Sequence, residues 1–329
     1  MKKLLFALFL LVQVGVASAQ HLQFNSNGKF KIVQFTDVHY IHKDARAKIA
    51  LERIREVLDE EKPDFVVFTG DVIFGKPAKK SILDVLTIVS DQQIPFAVVW
   101  GNHDLENGLN GEELFNVIKD LPGNLTSITP GLSGTTNFIL PVKSSDGKEN
   151  REILYFFDSH SGCSLKDVGG YAYIRFDQIN WYRENSQKFT ESNQGKPIPS
   201  LAFFHIPLPE FHQACQDEST AFYGFRKEKA CSPKLNSGLF TSMKEQGDVE
   251  GVFVGHDHDN DYAVLWHGIL LAYGRYSGGN TVYNDLENGA RVIELTEGEK
   301  GFRSWIRLSD NRILQQVKYP ESFLRLYKD

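Results

Sequence analysis

Five short polar segments, each directly after a predicted β-strand, constrain the fold of this chain more than any other feature. In chain order they are Asp37-Val38-His39, Gly70-Asp71, Gly101-Asn102-His103-Asp104, His205 and Gly255-His256-Asp257-His258. They contribute two carboxylates, one amide and four imidazoles as candidate metal ligands, and His103 is a further imidazole beside them. Fe, Mn and Zn bind this mixture of oxygen and imidazole nitrogen. Seven ligands are enough for two ions, so the sequence predicts a fold that gathers these segments around a dinuclear centre.

The first third of the chain alternates predicted strands and helices. Strands are predicted at 30–36, 64–69 and 95–100, and helices at 45–61 and 79–92, the first of which stops at Pro63. This βαβαβ pattern is typical of an α/β fold with a largely parallel sheet packed by helices. Ligand sites of such sheets lie at the carboxyl ends of the strands. We therefore expect Asp37, Asp71 and Asn102 to meet in one crevice.

The second half of the chain is richer in predicted strands. They lie at 152–157, 200–204, 251–254 and 262–266, and the segments 269–273 and 290–295 are predicted to complete a second sheet. Short helices are predicted within 173–189 and 233–246, and residues 144–148 read as a hairpin tip. Because the ligand segments span both halves, a single domain over residues 20–329 is the better interpretation.

Residues 1–19 have the pattern of a secretory signal peptide. Two lysines precede an apolar run over residues 4–16, and Ala17-Ser18-Ala19 forms a small-x-small cleavage signal. The alternative is an uncleaved membrane anchor, but the apolar run is short for a bilayer span. We expect an exported protein, periplasmic or secreted, cleaved after Ala19 and without a membrane span thereafter. The net charge of −6 becomes more negative on cleavage, which disfavours nucleic-acid partners.

Three cysteines remain after the predicted cleavage: Cys163, Cys215 and Cys231. Export to an oxidising compartment permits a disulfide. Cys215 and Cys231 bracket a short loop-like stretch and are the expected pair, which would stabilise the fold by roughly 3 kcal/mol. The alternative is three free, buried thiols.

The order and spacing of the five segments resemble the calcineurin-like metallophosphoesterase superfamily over about two thirds of the chain. The stretches Gly70-Asp71-Val72-Ile73-Phe74-Gly75 and His205-Ile206-Pro207-Leu208-Pro209-Glu210 are similar to its purple-acid-phosphatase-like branch, which is related to plant and fungal phosphatases. The resemblance implies a two-sheet mixed β-sandwich flanked by helices, in four layers of α/β/β/α.

The resemblance also implies a division of roles among the candidate residues. The first metal would be held by Asp37, His39 and His258, and the second by Asn102, His205 and His256, with Asp71 bridging the two ions. His103 would contact the substrate phosphate and protonate or stabilise the leaving oxygen, with Asp104 orienting it; the alternative is a buried His103 that only supports its loop. A carboxylate beside a histidine suits that role because it stabilises imidazolium.

One departure from the family pattern concerns the metals. Purple acid phosphatases proper carry a tyrosine ligand three residues after the bridging aspartate, whereas this chain has Phe74 there and His39 in the first segment. Phenylalanine cannot ligate a metal, so we expect a colourless centre. The cofactors are expected to be two divalent or trivalent transition-metal ions, with Fe, Mn and Zn left open.

Substrate contacts are less sharply indicated. Arg275 follows a predicted strand after the last ligand segment and is a candidate for bidentate binding of a phosphate, with a surface salt bridge as the alternative. Tyr223 and Arg226 lie between Cys215 and Cys231 and are candidates for a rim that selects the substrate.

The favoured function is an exported phosphomonoesterase in which metal-bound hydroxide attacks phosphorus, acting on a small-molecule phosphoester. A phosphodiesterase on the same core is the alternative, because the same dinuclear core serves both reactions. A non-catalytic metal-binding module is a third possibility, but loss of ligands normally marks such proteins and all seven positions are present here. The sequence gives no indication of an oligomeric state.

Overall fold

The computed structural model describes residues 21–217 and 219–324. The predicted signal peptide, residues 1–19, lies outside them. Within the described residues, no helix combines the length and the apolar character that crossing a bilayer requires.

The described residues form fourteen strands and six α-helices. The strands are β1 Leu22–Gln23, β2 Lys29–Phe35, β3 Phe65–Thr69, β4 Phe96–Val99, β5 Phe138–Lys143, β6 Asn150–Phe156, β7 Ser200–Phe203, β8 Phe222–Tyr223, β9 Val249–Val254, β10 Ala263–Trp266, β11 Ile269–Tyr273, β12 Ala290–Thr296, β13 Phe302–Arg307 and β14 Ile313–Tyr319. The helices are α1 Lys48–Glu61, α2 Ala78–Ser90, α3 Gly111–Ile118, α4 Phe176–Ser192, α5 Pro209–Ala214 and α6 Leu239–Gln246. Three short 3₁₀ helices lie at Ala45–Ala47, Asp104–Glu106 and Glu321–Phe323.

The strands form two mixed sheets. One has six strands in the order β14-β13-β12-β2-β3-β4, in which β2, β3 and β4 are parallel. The other has eight strands in the order β1-β5-β6-β7-β9-β11-β10-β8, with β6, β7, β9 and β11 parallel. The predicted α/β architecture, a two-sheet mixed β-sandwich flanked by helices, is confirmed.

Alternation along the strands builds the layers, because successive side chains of a strand point to opposite faces. In β3, Phe65 and Val67 pack into the core between the two sheets, while Val66 and Phe68 pack into the core beneath α1, α2 and α3. The opposite face of the eight-stranded sheet packs against α4, α5 and α6. This is the four-layer α/β/β/α arrangement.

The first helix shows how the local sequence sets an element's ends. Its predicted apolar face is buried, including Ile54 and Val57. The helix ends at Lys62, which adopts a left-handed conformation with φ 46° and donates its N–H to the Leu58 carbonyl at 2.9 Å. Pro63 follows and cannot continue the helix. The helix therefore releases the chain directly into β3, which carries the next ligand.

The C-terminal strands depart from the prediction. The segment predicted at 290–295 to belong to the second sheet is β12, which pairs antiparallel with β2 in the first sheet. Strands β13 and β14 extend that sheet further and were not predicted. An alternating strand has two packable faces, so its pattern alone does not choose which sheet it joins. The predicted hairpin tip at 144–148 is confirmed between β5 and β6.

The predicted disulfide between Cys215 and Cys231 is absent from the structure, in which all three cysteines are free. Cys215 directly follows α5 and contacts the Tyr262 hydroxyl. Cys231 donates its backbone N–H to Asp257 at 3.1 Å. The two cysteines thus contact different partners, and the length of the loop between them does not predict this.

Candidate metal centre

The candidate ligands follow strands of both sheets at their carboxyl ends. Asp37, Asp71 and Asn102 come just after β2, β3 and β4, and His205 and His256 come just after β7 and β9. A direct contact joins the two sheets here, because the His256 N–H donates to the Asp37 carboxylate at 3.0 Å. The predicted crevice therefore lies where the edges of the two sheets meet.

Two groups of three buried side chains face each other across this crevice. One is Asp37, His39 and His258, and the other is Asp71, His205 and His256. In the first group the Nε2 atoms of His39 and His258 are 3.0 Å apart. In the second, His256 Nδ1 and His205 Nε2 are 3.3 Å apart. Pairs of ring nitrogens this close need a proton or a cation between them.

Asp71 lies between the two groups. Its Oδ2 is 3.2 Å from His205 Nε2 and 3.6 Å from His39 Nε2. Asn102 Oδ1 is buried and has no hydrogen-bond partner among the described residues, and Asp71 Oδ2 is buried with these imidazole contacts. Unsatisfied buried polar atoms are costly. The donor set therefore fits two metal ions, and Asp71 lies where it would bridge them.

Two histidines are held by their other ring nitrogen. His205 Nδ1 lies 2.8 Å from the Thr69 carbonyl, and His258 Nδ1 lies 2.9 Å from the Tyr283 carbonyl. A carbonyl only accepts, so both Nδ1 atoms carry a proton, and Nε2 is the ring nitrogen of each histidine that is left to face a metal. Such outer contacts fix the tautomer and orientation of metal-binding histidines.

The backbone of this site is strained. Asp37, His39, Asp71 and His256 have φ angles of 53°, 45°, 50° and 82°, which side-chain-bearing residues rarely adopt. Each such residue costs of order 1 kcal/mol or more and persists only where the surrounding structure enforces it. Four of the seven candidate ligands share this feature, as expected for a functional site.

Two glycines allow the carboxylates to approach the backbone closely. A Cβ at Gly101 would lie 2.2 Å from Asp71 Oδ1, and one at Gly255 would lie 1.9 Å from Thr36 Oγ1 and 2.6 Å from Asp37 Oδ2. No side chain fits in either place. This explains why glycine precedes Asn102 and His256 in two of the five segments.

Replacing Gly255 by alanine should therefore damage the centre. We expect Gly255→Ala to displace Asp37, to lower the metal content, and to destabilise the fold by about 1–3 kcal/mol through overpacking. Metal analysis and thermal unfolding check this. The matched control is Gly162→Ala, because a Cβ there meets nothing within 4 Å. Equal behaviour of the two variants would contradict the close-packing argument.

The charged groups of the crevice shift one another's pKa values strongly. Burial raises the pKa of Asp37, but its hydrogen bond to His39 and the nearby His205 and His258 outweigh burial and bring that pKa to about 2. Burial lowers the pKa of His205, but Asp71 outweighs it and raises that pKa to about 10. The pKa of His256 falls to about 3, through burial and the neighbouring His205. Metal binding must therefore displace the proton of His205.

The structure corrects the predicted partner of His103. The Asp104 carboxylate is buried and accepts the N–H groups of Gly101 at 2.8 Å and Ile73 at 2.9 Å. His103 Nδ1 instead lies 2.7 Å from Glu106 Oε2. Asp104 thus supports the loop that carries Asn102 and His103. The i,i+3 spacing of His103 and Glu106 is the sequence signal that would have made Glu106 a second candidate beside Asp104.

The residues predicted to contact the substrate make other contacts within the protein. Arg275 is buried, paired with Asp261, and donates its Nε–H to the Glu287 carbonyl at 2.6 Å, so it forms neither a free phosphate ligand nor a surface salt bridge. Tyr223 donates its hydroxyl to the Ser322 carbonyl at 2.6 Å. Arg226 lies against His212. The position of the family's tyrosine ligand is filled by the Phe74 ring, which packs edge-on against His39 and His103.

The chain belongs to the calcineurin-like phosphoesterase family, whose sequence profile matches residues 30–260. This confirms the predicted resemblance and the prediction of a metal-dependent phosphoric ester hydrolase, and the two ligand groups bear out the expectation of two metal ions.

Among curated proteins, the chain is 33% identical to "Probable inactive purple acid phosphatase 29" of Arabidopsis thaliana, over 91% of this chain and 87% of that protein. It is also 33% identical to "Phosphatase DCR2" of Saccharomyces cerevisiae, over 88% of this chain but only 56% of the yeast protein. A solved dimetal phosphatase from Danio rerio shares the fold, with a TM-score of 0.61 at 13% identity, covering 88% of this chain and 99% of that one.

Proposed function

We propose that this chain is an exported dinuclear phosphomonoesterase. The observation that carries the proposal is the position of Asp71, whose buried Oδ2 faces both histidine groups. A carboxylate between two imidazole-rich pockets is the ligand arrangement that a two-metal hydrolase requires. Asp37, His39 and His258 would hold one ion, and Asn102, His205 and His256 the other.

When bound, two such ions supply a water acidic enough to act as a nucleophile near neutral pH and neutralise charge on the phosphoryl oxygens. The remaining roles in catalysis belong to side chains of the protein. Asp71 spaces the two sites, and its Oδ1 accepts the His103 N–H at 2.8 Å. That contact places the His103 ring beside the bridging carboxylate, where it is available to the leaving oxygen of a phosphoester.

The completeness of the centre favours catalysis over a purely binding role. The Arabidopsis relative is named as probably inactive, and the yeast relative as a phosphatase. In this chain all seven candidate ligands and His103 are present, and six of the ligands form the two facing groups. A module that only binds metal would need the seven ligands, but not a partly exposed imidazole beside them.

Two aromatic rings flank the centre and favour a monoester. Tyr171 packs edge-on against His256 with ring centroids 4.3 Å apart, and Tyr283 stacks on His258 at 4.5 Å. Tyr283 is held in place by its hydroxyl, which donates to Glu228 at 3.1 Å. A ring on each flank leaves less room for a second ester group than an open site would, which favours the monoester.

Parallel assays test the choice between the two esters. We expect the metal-loaded protein to hydrolyse p-nitrophenyl phosphate at least about tenfold more efficiently than bis-p-nitrophenyl phosphate, a difference of about 1.4 kcal/mol in transition-state binding. Turnover of the diester alone would overturn the monoesterase in favour of a phosphodiesterase. A metal-loaded protein inert toward both would favour the binding module.

Three finer points belong to the same proposal. The metals are Fe, Mn or Zn, because oxygen and imidazole ligands bind all three. The protein is exported to the periplasm or the medium after cleavage at Ala19. Residues 20–329 act as one domain, because the ligands come from strands of both sheets.

A further inference from the structure

The turn after His103 brings an acidic side chain back onto its ring. Asp104–Glu106 is a 3₁₀ helix, and side chains three residues apart eclipse each other in this conformation. His103 Nδ1 accordingly lies 2.7 Å from Glu106 Oε2. A carboxylate accepts hydrogen bonds, so His103 Nδ1 carries a proton. Nε2 is then the ring nitrogen that can face a substrate.

The rest of His103 is fixed by other contacts. Its backbone N–H donates to Asp71 Oδ1 at 2.8 Å, and its carbonyl accepts from Asn107 Nδ2 at 2.8 Å. The Phe74 and His39 rings pack edge-on against the imidazole, with centroids 4.9 Å and 5.4 Å from its own. These contacts hold the backbone and the faces of the ring. The contact with Glu106 adds a hydrogen bond at a ring nitrogen, which selects the orientation of that ring.

Asp104 is not available for this task. Both of its carboxylate oxygens are taken by backbone N–H groups, those of Ile73 and Gly101. Its side chain is buried, whereas His103 and Glu106 are partly exposed, with 33% and 60% of their side chains accessible. The accessible pair is therefore the one that can meet a substrate.

We propose that Glu106 is a positioning residue that holds His103 with Nε2 directed at the leaving oxygen of the phosphoester; this rests on the proposed function. The acid is the ring protonated on both nitrogens, which the Glu106 carboxylate stabilises through Nδ1. As the bond from phosphorus to the leaving oxygen breaks, its electron pair stays on that oxygen and Nε2 passes its proton to it. The ring is left neutral with its proton on Nδ1, and water returns the proton to Nε2.

If Glu106 positions His103 in this way, the loss of kcat on removing Glu106 depends on the leaving group of the substrate. A leaving group that is already a stable anion, such as p-nitrophenolate, gains little from the proton, whereas an alkoxide cannot leave without it. A purely structural ion pair would slow all substrates alike. An exposed pair of this kind also contributes little to stability, so its removal leaves the fold intact.

The test compares Glu106→Gln with the wild type on p-nitrophenyl phosphate, phenyl phosphate and an alkyl phosphate. The expected result is a fall in kcat of about tenfold to a hundredfold for the alkyl ester, as is usual for the loss of an orienting contact. For the p-nitrophenyl ester the expected change is less than about threefold, with KM little altered. Glu112→Gln, an exposed glutamate in the first turn of α3, is the matched control.

A second measurement uses His103→Ala as the background. Glu106→Gln should have no further effect there, because Glu106 acts only through His103. Equal losses for all three esters, or a further loss in the His103→Ala background, would overturn the positioning role while leaving the phosphatase in place. A metal-loaded wild type inert toward all three esters would overturn both.

Discussion

Asp71→Ala is expected to abolish activity and to empty the metal centre. The substitution removes the one oxygen that faces both histidine groups, at 3.2 Å from His205 and 3.6 Å from His39. It also removes the acceptor of the His103 N–H. Phosphatase activity should fall by at least about 10³-fold, because both the ions and the histidine lose their placement. Metal analysis should find well under two ions per chain.

The control for this experiment is Asp84→Asn. Asp84 is also a partly buried carboxylate, but it contacts Tyr40 and His42 and belongs to neither ligand group. Its replacement should leave metal content and kcat close to the wild-type values. If Asp71→Ala retained two ions per chain and full turnover, the bridging role would be wrong, and with it the assignment of the centre.

His103→Ala should separate metal binding from turnover. His103 belongs to neither ligand group, so both ions should be retained. Its ring is a partly exposed imidazole next to Asp71, and general acid catalysis by such a group contributes typically about 10²–10⁴-fold. We expect kcat on an alkyl phosphate to fall by that factor, with metal content unchanged. Steady-state kinetics and metal analysis on the same preparation measure both effects.

His212→Ala is the matched histidine control, since His212 lies on α5 and contacts Arg226. It should keep the wild-type rate. Full turnover by His103→Ala on poor leaving groups would remove both the acid role of His103 and the positioning role of Glu106. Loss of metal in His103→Ala would instead show that the ring supports the ligands.

The candidate ligands were predictable because each depends on local information. A strand is recognisable from its apolar run, and the polar residue that follows it lies at the strand's carboxyl end whatever the rest of the fold does. Asp37, Asp71 and Asn102 needed only the parallel βαβαβ unit to bring them together. The distal histidines needed the same rule applied to β7 and β9.

The partner choices were not predictable in this way. Asp104 and Glu106 are both acidic and both near His103, and only the 3₁₀ turn and the competing N–H groups of Gly101 and Ile73 decide between them. The Arg275 guanidinium is suited to bind a phosphate, but it forms a buried ion pair with Asp261 instead. Which of several suitable partners a side chain meets depends on packing between distant segments.

The amino-acid sequence by itself determined the candidate ligand set, the strands that carry it and the class of chemistry, because residue type and strand position are local properties. Only the tertiary structure decided which sheet β12 joins, that the cysteines are unpaired, and that Glu106 rather than Asp104 is the residue beside His103. The first two outcomes depend on contacts between distant segments, and the third depends on the N–H groups of Gly101 and Ile73, which occupy the Asp104 carboxylate.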